Sequence, residues 1–228
     1  MNLYTFSFAG GSSYSLDLYK KYFLEQHTLI SQEYPGRGRK MGLSLIDEAS
    51  QLVEHFYSDF KHRSDYFCFY GHSMGTLVSY LLTRKLHKNG NALPLHLFVS
   101  GRGGPANALD ETRYNLPKVE FWQRIKELGG SPEEVLADQD LMDFFEPILR
   151  ADFKTIETYQ YQEAEPLDIP ITVFLGKDDK VTEEEALLWQ KETTHPIDIH
   201  YFSGGHFFVF DHAKEIAGIM QKKIKEHL

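Results

Sequence analysis

Short apolar runs alternate with segments of helical periodicity along most of the chain. The runs typical of buried strands are 3–8, 28–34, 66–70, 95–100, 171–175 and 197–202. Apolar residues recur at helical spacing in the segments between and after them, which are 15–25, 43–61, 76–88, 183–192 and 211–224. Such alternation predicts an α/β fold in which a mostly parallel sheet is flanked by helices.

The alternation stops over a long stretch in the middle of the chain, at about 106–162. This stretch has no strand pattern and is rich in aromatic residues, namely Phe121, Trp122, Phe144, Phe145, Phe153, Tyr159 and Tyr161. An insertion that follows a strand in such a fold is a candidate lid over a site, although an ordinary helical layer on the sheet is the alternative. We therefore predict one α/β domain over 1–228, with a helical lid inserted at about 106–162.

Composition and charge narrow the class of protein. The chain has 228 residues, of which 42% are hydrophobic, and this suffices for one substantial core. A net charge of -9 argues against nucleic-acid binding, which needs clustered positive charge. No apolar run approaches the roughly 20 residues that span a bilayer, and the first residues do not resemble a signal peptide. We expect a cytoplasmic protein without membrane contact, whose single cysteine, Cys68, packs in the core.

The pentapeptide Gly71-His72-Ser73-Met74-Gly75 lies between a predicted strand and a predicted helix. In that context the pattern G-x-S-x-G places the serine on a sharp turn as a nucleophile, and the glycines leave room for the turn. The backbone amide of Met74, at the start of the helix, is then aimed at the substrate oxygen. We predict Ser73 as the nucleophile and Met74 as an oxyanion donor, with His72 packed beside the serine.

A serine hydroxyl needs an imidazole to take its proton and a carboxylate to orient that imidazole. His206 follows two glycines after the last predicted strand, whereas the other histidines precede Ser73 or lie in predicted helices, at helix ends or in strands. Asp178 and Asp179 both follow the strand at 171–175, and either is a candidate for the acid. A second oxyanion amide is expected from Ala9, which begins the small-residue loop after the first strand, although a plain turn has the same composition.

Other chemistry finds no support in the chain. There is no H-E-x-x-H pattern and only one cysteine, so no metal site is predicted. Neither G-x-G-x-x-G nor a P-loop pattern is present, so nucleotide binding is not expected.

Together these residues resemble the type II thioesterases of nonribosomal peptide and polyketide synthases, which belong to the α/β-hydrolase superfamily. The resemblance covers nearly the whole chain. It rests on the elbow and on six further segments, which are FSFAGG at 6–11, YPGRG at 34–38, SGR at 100–102, PILRADF at 147–153, GKDD at 176–179 and GGHF at 204–207.

This resemblance implies hydrolysis of acyl, aminoacyl or peptidyl thioesters from the phosphopantetheine arm of carrier domains, which clears stalled or misprimed synthases. It also implies a triad of Ser73, Asp179 and His206, because the family acid is the third residue after the glycine of its loop. Oxyanion amides from Met74 and Ala9, no cofactor, carrier domains as partners and a monomeric state complete the expectation.

Two alternatives stay open. A carboxylesterase or lipase would use the same triad on oxygen esters, and a non-catalytic accessory would use the fold only to bind carriers. The basic residues Arg37, Arg39 and Lys40 are a candidate contact for an acidic carrier, although a solvated loop has the same composition.

Overall fold

The computed structural model describes residues 1–23, 27–107 and 112–227. Six strands form one sheet: β1 (Asn2–Phe6), β2 (Thr28–Ser31), β3 (Phe67–His72), β4 (Leu97–Ser100), β5 (Ile171–Gly176) and β6 (Asp198–Phe202). Their order across the sheet is β2-β1-β3-β4-β5-β6, and every neighbouring pair is parallel. The predicted parallel sheet is confirmed, and all its strands end at one edge.

Helices connect and cover these strands. Those described are α1 (Ala49–Phe60), α2 (Met74–Lys88), α3 (Lys118–Leu128), α4 (Glu133–Ala137), α5 (Gln139–Glu157), α6 (Glu183–Leu187), α7 (Phe208–Asp211) and α8 (Ala213–Lys225). Short 3-10 helices lie at Asp17–Tyr22, Gly38–Lys40 and Leu188–Glu192. No helix in the described part of the chain is long and apolar enough to cross a membrane.

Both faces of the sheet are buried, since successive strand residues point to opposite sides. In β3, Phe67 and Phe69 belong to the core that includes apolar residues of α1 and α2. Cys68 and Tyr70 belong to the opposite core, which includes residues of α8. Burial raises the pKa of the Cys68 thiol to about 12, so this side chain acts as a core residue. Burial on two faces explains why the strand was visible as a continuous apolar run.

The stretch between β4 and β5 is helical, as predicted, and contains α3, α4 and α5. The helices end at Glu157 rather than near 162, and residues 108–111 lie outside the described part. Phe121 and Trp122 are buried in the core, while Phe144 is 46% exposed. The segment therefore packs on the body of the protein on one side; its role as a lid stays a prediction.

Several element boundaries differ from the predictions. Helix α1 begins at Ala49 rather than 43, because Leu45 packs against the turn at Gly36, where an added Cβ would lie 2.8 Å from the Leu45 Cγ. The predicted helix at 15–25 is a 3-10 helix at Asp17–Tyr22, and residues 24–26 fall outside the described part. Strands β1 and β2 end early, so the residues after them form loops at the carboxyl edge of the sheet.

Candidate active site

Ser73 lies on a strained turn between β3 and α2. Its backbone has φ 54° and ψ -111°, and among the described residues it is the one non-glycine residue with a positive φ. The strain is held in place by the neighbouring strand, since the Ser73 amide donates to the carbonyl oxygen of Ser100 at 2.8 Å. A conformation of this kind persists only where the surroundings fix it, and it is typical of functional sites.

The two glycines of the pentapeptide allow this turn. A Cβ on Gly71 would collide with the backbone of Gly75, and a Cβ on Gly75 would collide with the carbonyl group of Phe6 in β1. The obstacles are backbone atoms, which cannot move aside as a flexible side chain would. The steric role predicted for both glycines is confirmed, and any larger residue would displace Ser73.

Asp179 and His206 are joined by a hydrogen bond at the carboxyl edge of the sheet. The imidazole Nδ1 lies 2.9 Å from the Asp179 Oδ2, and the two side chains are 13% and 4% exposed. The other carboxylate oxygen accepts from the backbone amide of Lys180 at 2.7 Å. The carboxylate is thus fixed by the chain and can orient the imidazole.

Asp178, the other candidate acid, occupies a different position. Its Oδ2 accepts from the amide of Gly204 at 3.2 Å, and its own amide donates to the Gly204 carbonyl oxygen at 3.0 Å. Asp178 therefore holds the loop that carries His206, and among the described residues it makes no hydrogen bond to the imidazole.

One cavity of about 330 Å³ is lined by Ser73, Asp179 and His206. The structure therefore brings Ser73 together with Asp179 and His206, which both lie more than a hundred positions later in the chain. No hydrogen bond joins the Ser73 hydroxyl to His206 within the described residues. Such bonds are often long without substrate and shorten in the reactive complex.

His72 is a fully buried neighbour of His206. Its Nδ1 lies 2.8 Å from the Ser100 Oγ, and the two imidazole rings are 5.1 Å apart. Burial, and to a smaller extent the electrostatic interaction with His206, hold the pKa of His72 well below its usual value. Gly101, with φ +61°, makes room for both rings, since an added Cβ would lie 3.3 Å from the His206 Cε1. His72 therefore supports His206 as a neutral ring, in line with its predicted packing role.

The loop after β1 contains Ala9, the predicted second oxyanion donor. The amide of Gly10 donates to the Asp152 Oδ2 at 2.7 Å, and that of Gly11 donates to the Phe8 carbonyl oxygen at 2.9 Å. By contrast, the amides of Ala9 and Met74 donate to no atom of the described residues. Free amides are the form in which an oxyanion site would hold its donors.

A buried ion pair between Arg37 and Asp152 holds the loop after β1 in place. The Arg37 Nη2 lies 2.6 Å from the Asp152 Oδ1, and the side chains are 5% and 2% exposed. Arg37 also donates to the Gly11 carbonyl oxygen at 3.3 Å. The motifs YPGRG and PILRADF thus both contact this loop, the first through Arg37 and the second through Asp152.

This pair corrects the prediction of a basic surface patch. Arg37 is 4% exposed, because its charge is taken up by Asp152, so it offers no contact to a carrier. Only Arg39 and Lys40 of the predicted patch retain accessible side chains. The interaction itself was missed, although a charged residue inside each of two otherwise apolar or glycine-rich motifs was a usable signal.

A second, largely apolar cavity of about 600 Å³ lies beside the loop after β1. Ala9 and Gly10 line it together with aromatic residues of α5 and the residue after His206, which are Phe144, Phe145, Phe153 and Phe207. Phe153 and Leu128 line both cavities, so the two spaces adjoin. Among the described residues no group of three or more His, Cys, Asp and Glu side chains is arranged to hold a metal ion.

Comparisons with known proteins point to one family. A family model for a thioesterase domain matches residues 1–224. The gramicidin S biosynthesis protein GrsT of Aneurinibacillus migulanus is 33% identical over 228 residues, which cover 99% of this chain and 89% of GrsT. The structure of ClbQ from the colibactin NRPS/PKS pathway has a TM-score of 0.92 at 30% identity, covering 99% of this chain and 97% of ClbQ. The type II thioesterase BorB from the borrelidin biosynthetic cluster has a TM-score of 0.87 at 28% identity, covering 97% of this chain and 91% of BorB.

Proposed function

Since the chain belongs to the thioesterase family, we propose that it hydrolyses acyl, aminoacyl or peptidyl thioesters on the phosphopantetheine arms of carrier domains. Thioester hydrolysis is the activity of the family, and the α/β-hydrolase fold predicted above is confirmed by the sheet and by the similar structures. The observation that carries the proposal is the Asp179–His206 hydrogen bond in the cavity that Ser73 also lines.

In the first half of the reaction, Ser73 attacks the thioester carbonyl carbon while the His206 Nε2 takes the hydroxyl proton. Asp179 holds the imidazole through Nδ1 and stabilises its positive charge. The amides of Met74 and Ala9 donate to the oxyanion of the tetrahedral intermediate. The C–S bond then breaks, His206 gives its proton to the leaving sulfur, and an acyl-serine ester remains.

In the second half, water replaces the thiol. His206 takes a proton from the water, whose oxygen attacks the acyl-serine carbonyl carbon, and the same amides stabilise the second oxyanion. Collapse of this intermediate returns the proton to the Ser73 oxygen and releases the carboxylic acid. The apolar cavity beside Ala9 provides space for an acyl chain next to the reacting carbonyl.

Arg37 and Asp152 are positioning residues in this scheme. Asp152 binds the amide of Gly10, and Arg37 binds the carbonyl oxygen of Gly11, so the loop is held immediately after Ala9. A fixed loop keeps the Ala9 amide oriented before charge develops, which is the condition under which oxyanion donors are most effective.

The biological setting we propose is the removal of stalled or misprimed groups from a multimodular synthase. It is supported by the gramicidin S role of GrsT, the NRPS/PKS pathway of ClbQ and the type II classification of BorB. We further propose that the chain acts as a cytoplasmic monomer, one domain whose segment at about 106–162 serves as the lid over the two cavities.

Ser73→Ala tests the proposal directly. We expect the variant to lose at least about a thousandfold in kcat on acetyl, aminoacyl and peptidyl carrier thioesters, because no other group would form the acyl intermediate. Ser64→Ala, at an exposed position, is the matched control and should keep full turnover.

Three outcomes would contradict it. Full activity of Ser73→Ala would remove the nucleophile, and preference of the unmodified protein for simple oxygen esters would favour a carboxylesterase. An undiminished effect of Ser73→Ala on the yield of a stalled synthase would favour a carrier-binding accessory without catalysis.

A further inference from the structure

Arg102 is buried in the wall of the cavity that contains Ser73, yet its charge has no partner. The residue is 8% exposed and lines the cavity. Its Nε is buried without a hydrogen-bond partner, and its guanidinium group makes no ion pair or hydrogen bond within the described residues. Isolated buried charges are rare, because transfer of a charge from water is costly unless another group compensates it.

The acidic side chains around the cavity are already occupied. Asp179 binds His206, and Glu185 accepts from the Asn107 side chain at 2.8 Å and from the Thr182 amide at 2.8 Å. Glu157 binds the second arginine of the cavity, Arg113, at 2.7 Å. None of these carboxylates pairs with Arg102, and Lys180, the other cation of the cavity wall without an ion pair among the described residues, is exposed to solvent.

The remaining neighbours do not neutralise Arg102. Tyr159 lies close enough to interact with it electrostatically, but burial raises the pKa of this phenol, which therefore stays neutral. Burial, followed by the smaller effect of Arg113, lowers the pKa of Arg102 only to about 10. The guanidinium group consequently remains charged at neutral pH.

The backbone that carries Arg102 is fixed on both sides. On one side, Gly101 fits closely against His72 and His206. On the other, the Trp189 indole N–H donates to the Arg102 carbonyl oxygen at 3.1 Å, and a Cβ on Gly104 would lie 2.6 Å from Leu188. The charge is therefore presented from a rigid loop that begins beside the catalytic imidazole, as expected of a preformed binding site.

We propose that Arg102 binds a carboxylate on the acyl group, so that the enzyme prefers thioesters of dicarboxylic or acidic aminoacyl groups. This inference rests on the proposed function, because it concerns the substrate of the Ser73 site. A guanidinium group is suited to carboxylates through paired hydrogen bonds. The phosphate of the arm is a less suitable ligand, since it is attached to the surface of a folded carrier and lies at the opposite end of the arm from the sulfur.

Two thioesters of N-acetylcysteamine that differ only in charge test this preference. Succinyl carries a carboxylate, and 4-oxopentanoyl has a methyl ketone of nearly the same shape. We expect kcat/KM to be about tenfold to a hundredfold higher for succinyl, which is the range for a hydrogen-bonded charged group. Arg102→Met should bring the ratio close to one, mainly by raising KM for succinyl, and Arg102→Lys should retain part of it.

Arg84→Met is the matched control, because Arg84 lies on α2 outside the cavity and donates to the Glu165 carbonyl oxygen. It should leave the ratio unchanged. A ratio near one in the unmodified protein would overturn the inference even if Arg102→Met failed to fold. Equal losses on both thioesters in Arg102→Met would show a structural role and would also overturn it.

The arm is tested separately. If Arg102→Met instead removes a preference for phosphopantetheine over pantetheine thioesters of one neutral acyl group, the phosphate is the ligand and the inference fails. Neither result affects the proposed function, which fails only if Ser73→Ala retains hydrolysis. A loss of succinate binding on going from Ser73→Ala to Ser73→Ala/Arg102→Met, measured by calorimetry, would support the inference without turnover.

Discussion

Two arginines are buried beside the candidate active site, and only one of them has an acidic partner among the described residues. Arg37 is 4% exposed and bound to Asp152, whereas Arg102 is 8% exposed and bound to no acidic group of the described residues. Both lie on loops at the carboxyl edge of the sheet. The similar burial makes the difference in pairing informative.

The difference in pairing indicates different roles. The charge of Arg37 holds the site together, whereas the charge of Arg102 is available to a ligand. Arg37 and Asp152 satisfy each other and the loop after β1, so their energy of interaction is present before substrate arrives. Arg102 is held in place but not neutralised, so we expect it to lower the stability of the free protein. Residues that lower stability while facing a cavity are typical of binding sites.

The largest effect should follow from breaking the paired arginine. Asp152→Asn leaves Arg37 charged and buried without its carboxylate, so we expect the free energy of unfolding to fall by about 3–5 kcal/mol. It should also lower kcat by about tenfold, because Gly10 and Ala9 lose their anchor. Urea denaturation and steady-state kinetics measure the two effects.

Arg39→Gln is the control in the same loop, where the exposed side chain should contribute less than about 0.5 kcal/mol. The double variant Arg37→Met/Asp152→Leu sharpens the test. It should regain much of the stability but not kcat, because the loop atoms still lack partners. Full recovery of kcat would mean that the pair does not position the loop.

Local sequence was sufficient for the elbow, the parallel sheet and the loops carrying Asp179 and His206. Each of these depends on residues close together in the chain, such as the glycines around Ser73. The Arg37–Asp152 pair joins positions separated by 115 residues, so the charges in the two motifs are visible in the sequence but their pairing is not. Arg37 was wrongly placed on the surface because a charged residue in a glycine-rich loop is usually solvated.

The helix boundaries show the same limit. Leu45 continues a helical pattern toward α1, but its contact with Gly36 draws it into a loop instead. Likewise, the lack of a partner for Arg102 is a property of the whole cavity wall. The sequence shows that acidic residues are present, but only the structure shows that those around the cavity, Asp179, Glu185 and Glu157, are bound to other groups.

A smaller effect, of opposite sign, is expected for the unpaired arginine. Arg102→Met removes a buried charge and keeps much of the apolar side chain, so we expect the free energy of unfolding to rise by about 1–2 kcal/mol. Urea denaturation of Arg102→Met beside Asp152→Asn provides the direct comparison. A loss of stability in Arg102→Met would mean that the charge is compensated in the free protein.

A buried histidine differs from a buried arginine, because an imidazole can avoid an unpaired charge by losing its proton. His96 is 3% exposed, stacks on Phe98 with rings 4.3 Å apart, and lies 2.9 Å from the Thr172 hydroxyl. Burial, then the nearby His227 and Lys223, lower the pKa of His96 to about 3 from an ordinary value of 6.5. Arginine has no such option at neutral pH, so a buried guanidinium group without an anion keeps its charge.

The smallest effect follows from the sign of this shift. Above pH 6.5 His96 is neutral in both states, but below it the unfolded chain binds a proton that the folded protein does not. Stability therefore falls from pH 6.5 toward about 3, by about 1 kcal/mol at pH 6 for this residue. Urea denaturation at pH 7.5 and at pH 6 measures this fall in the free energy of unfolding. In His96→Gln the fall should be smaller than in the unmodified protein by that amount, whereas in the control His62→Gln, at an exposed position, it should be unchanged. An unchanged loss in His96→Gln would show that this imidazole does not avoid its buried charge by deprotonation.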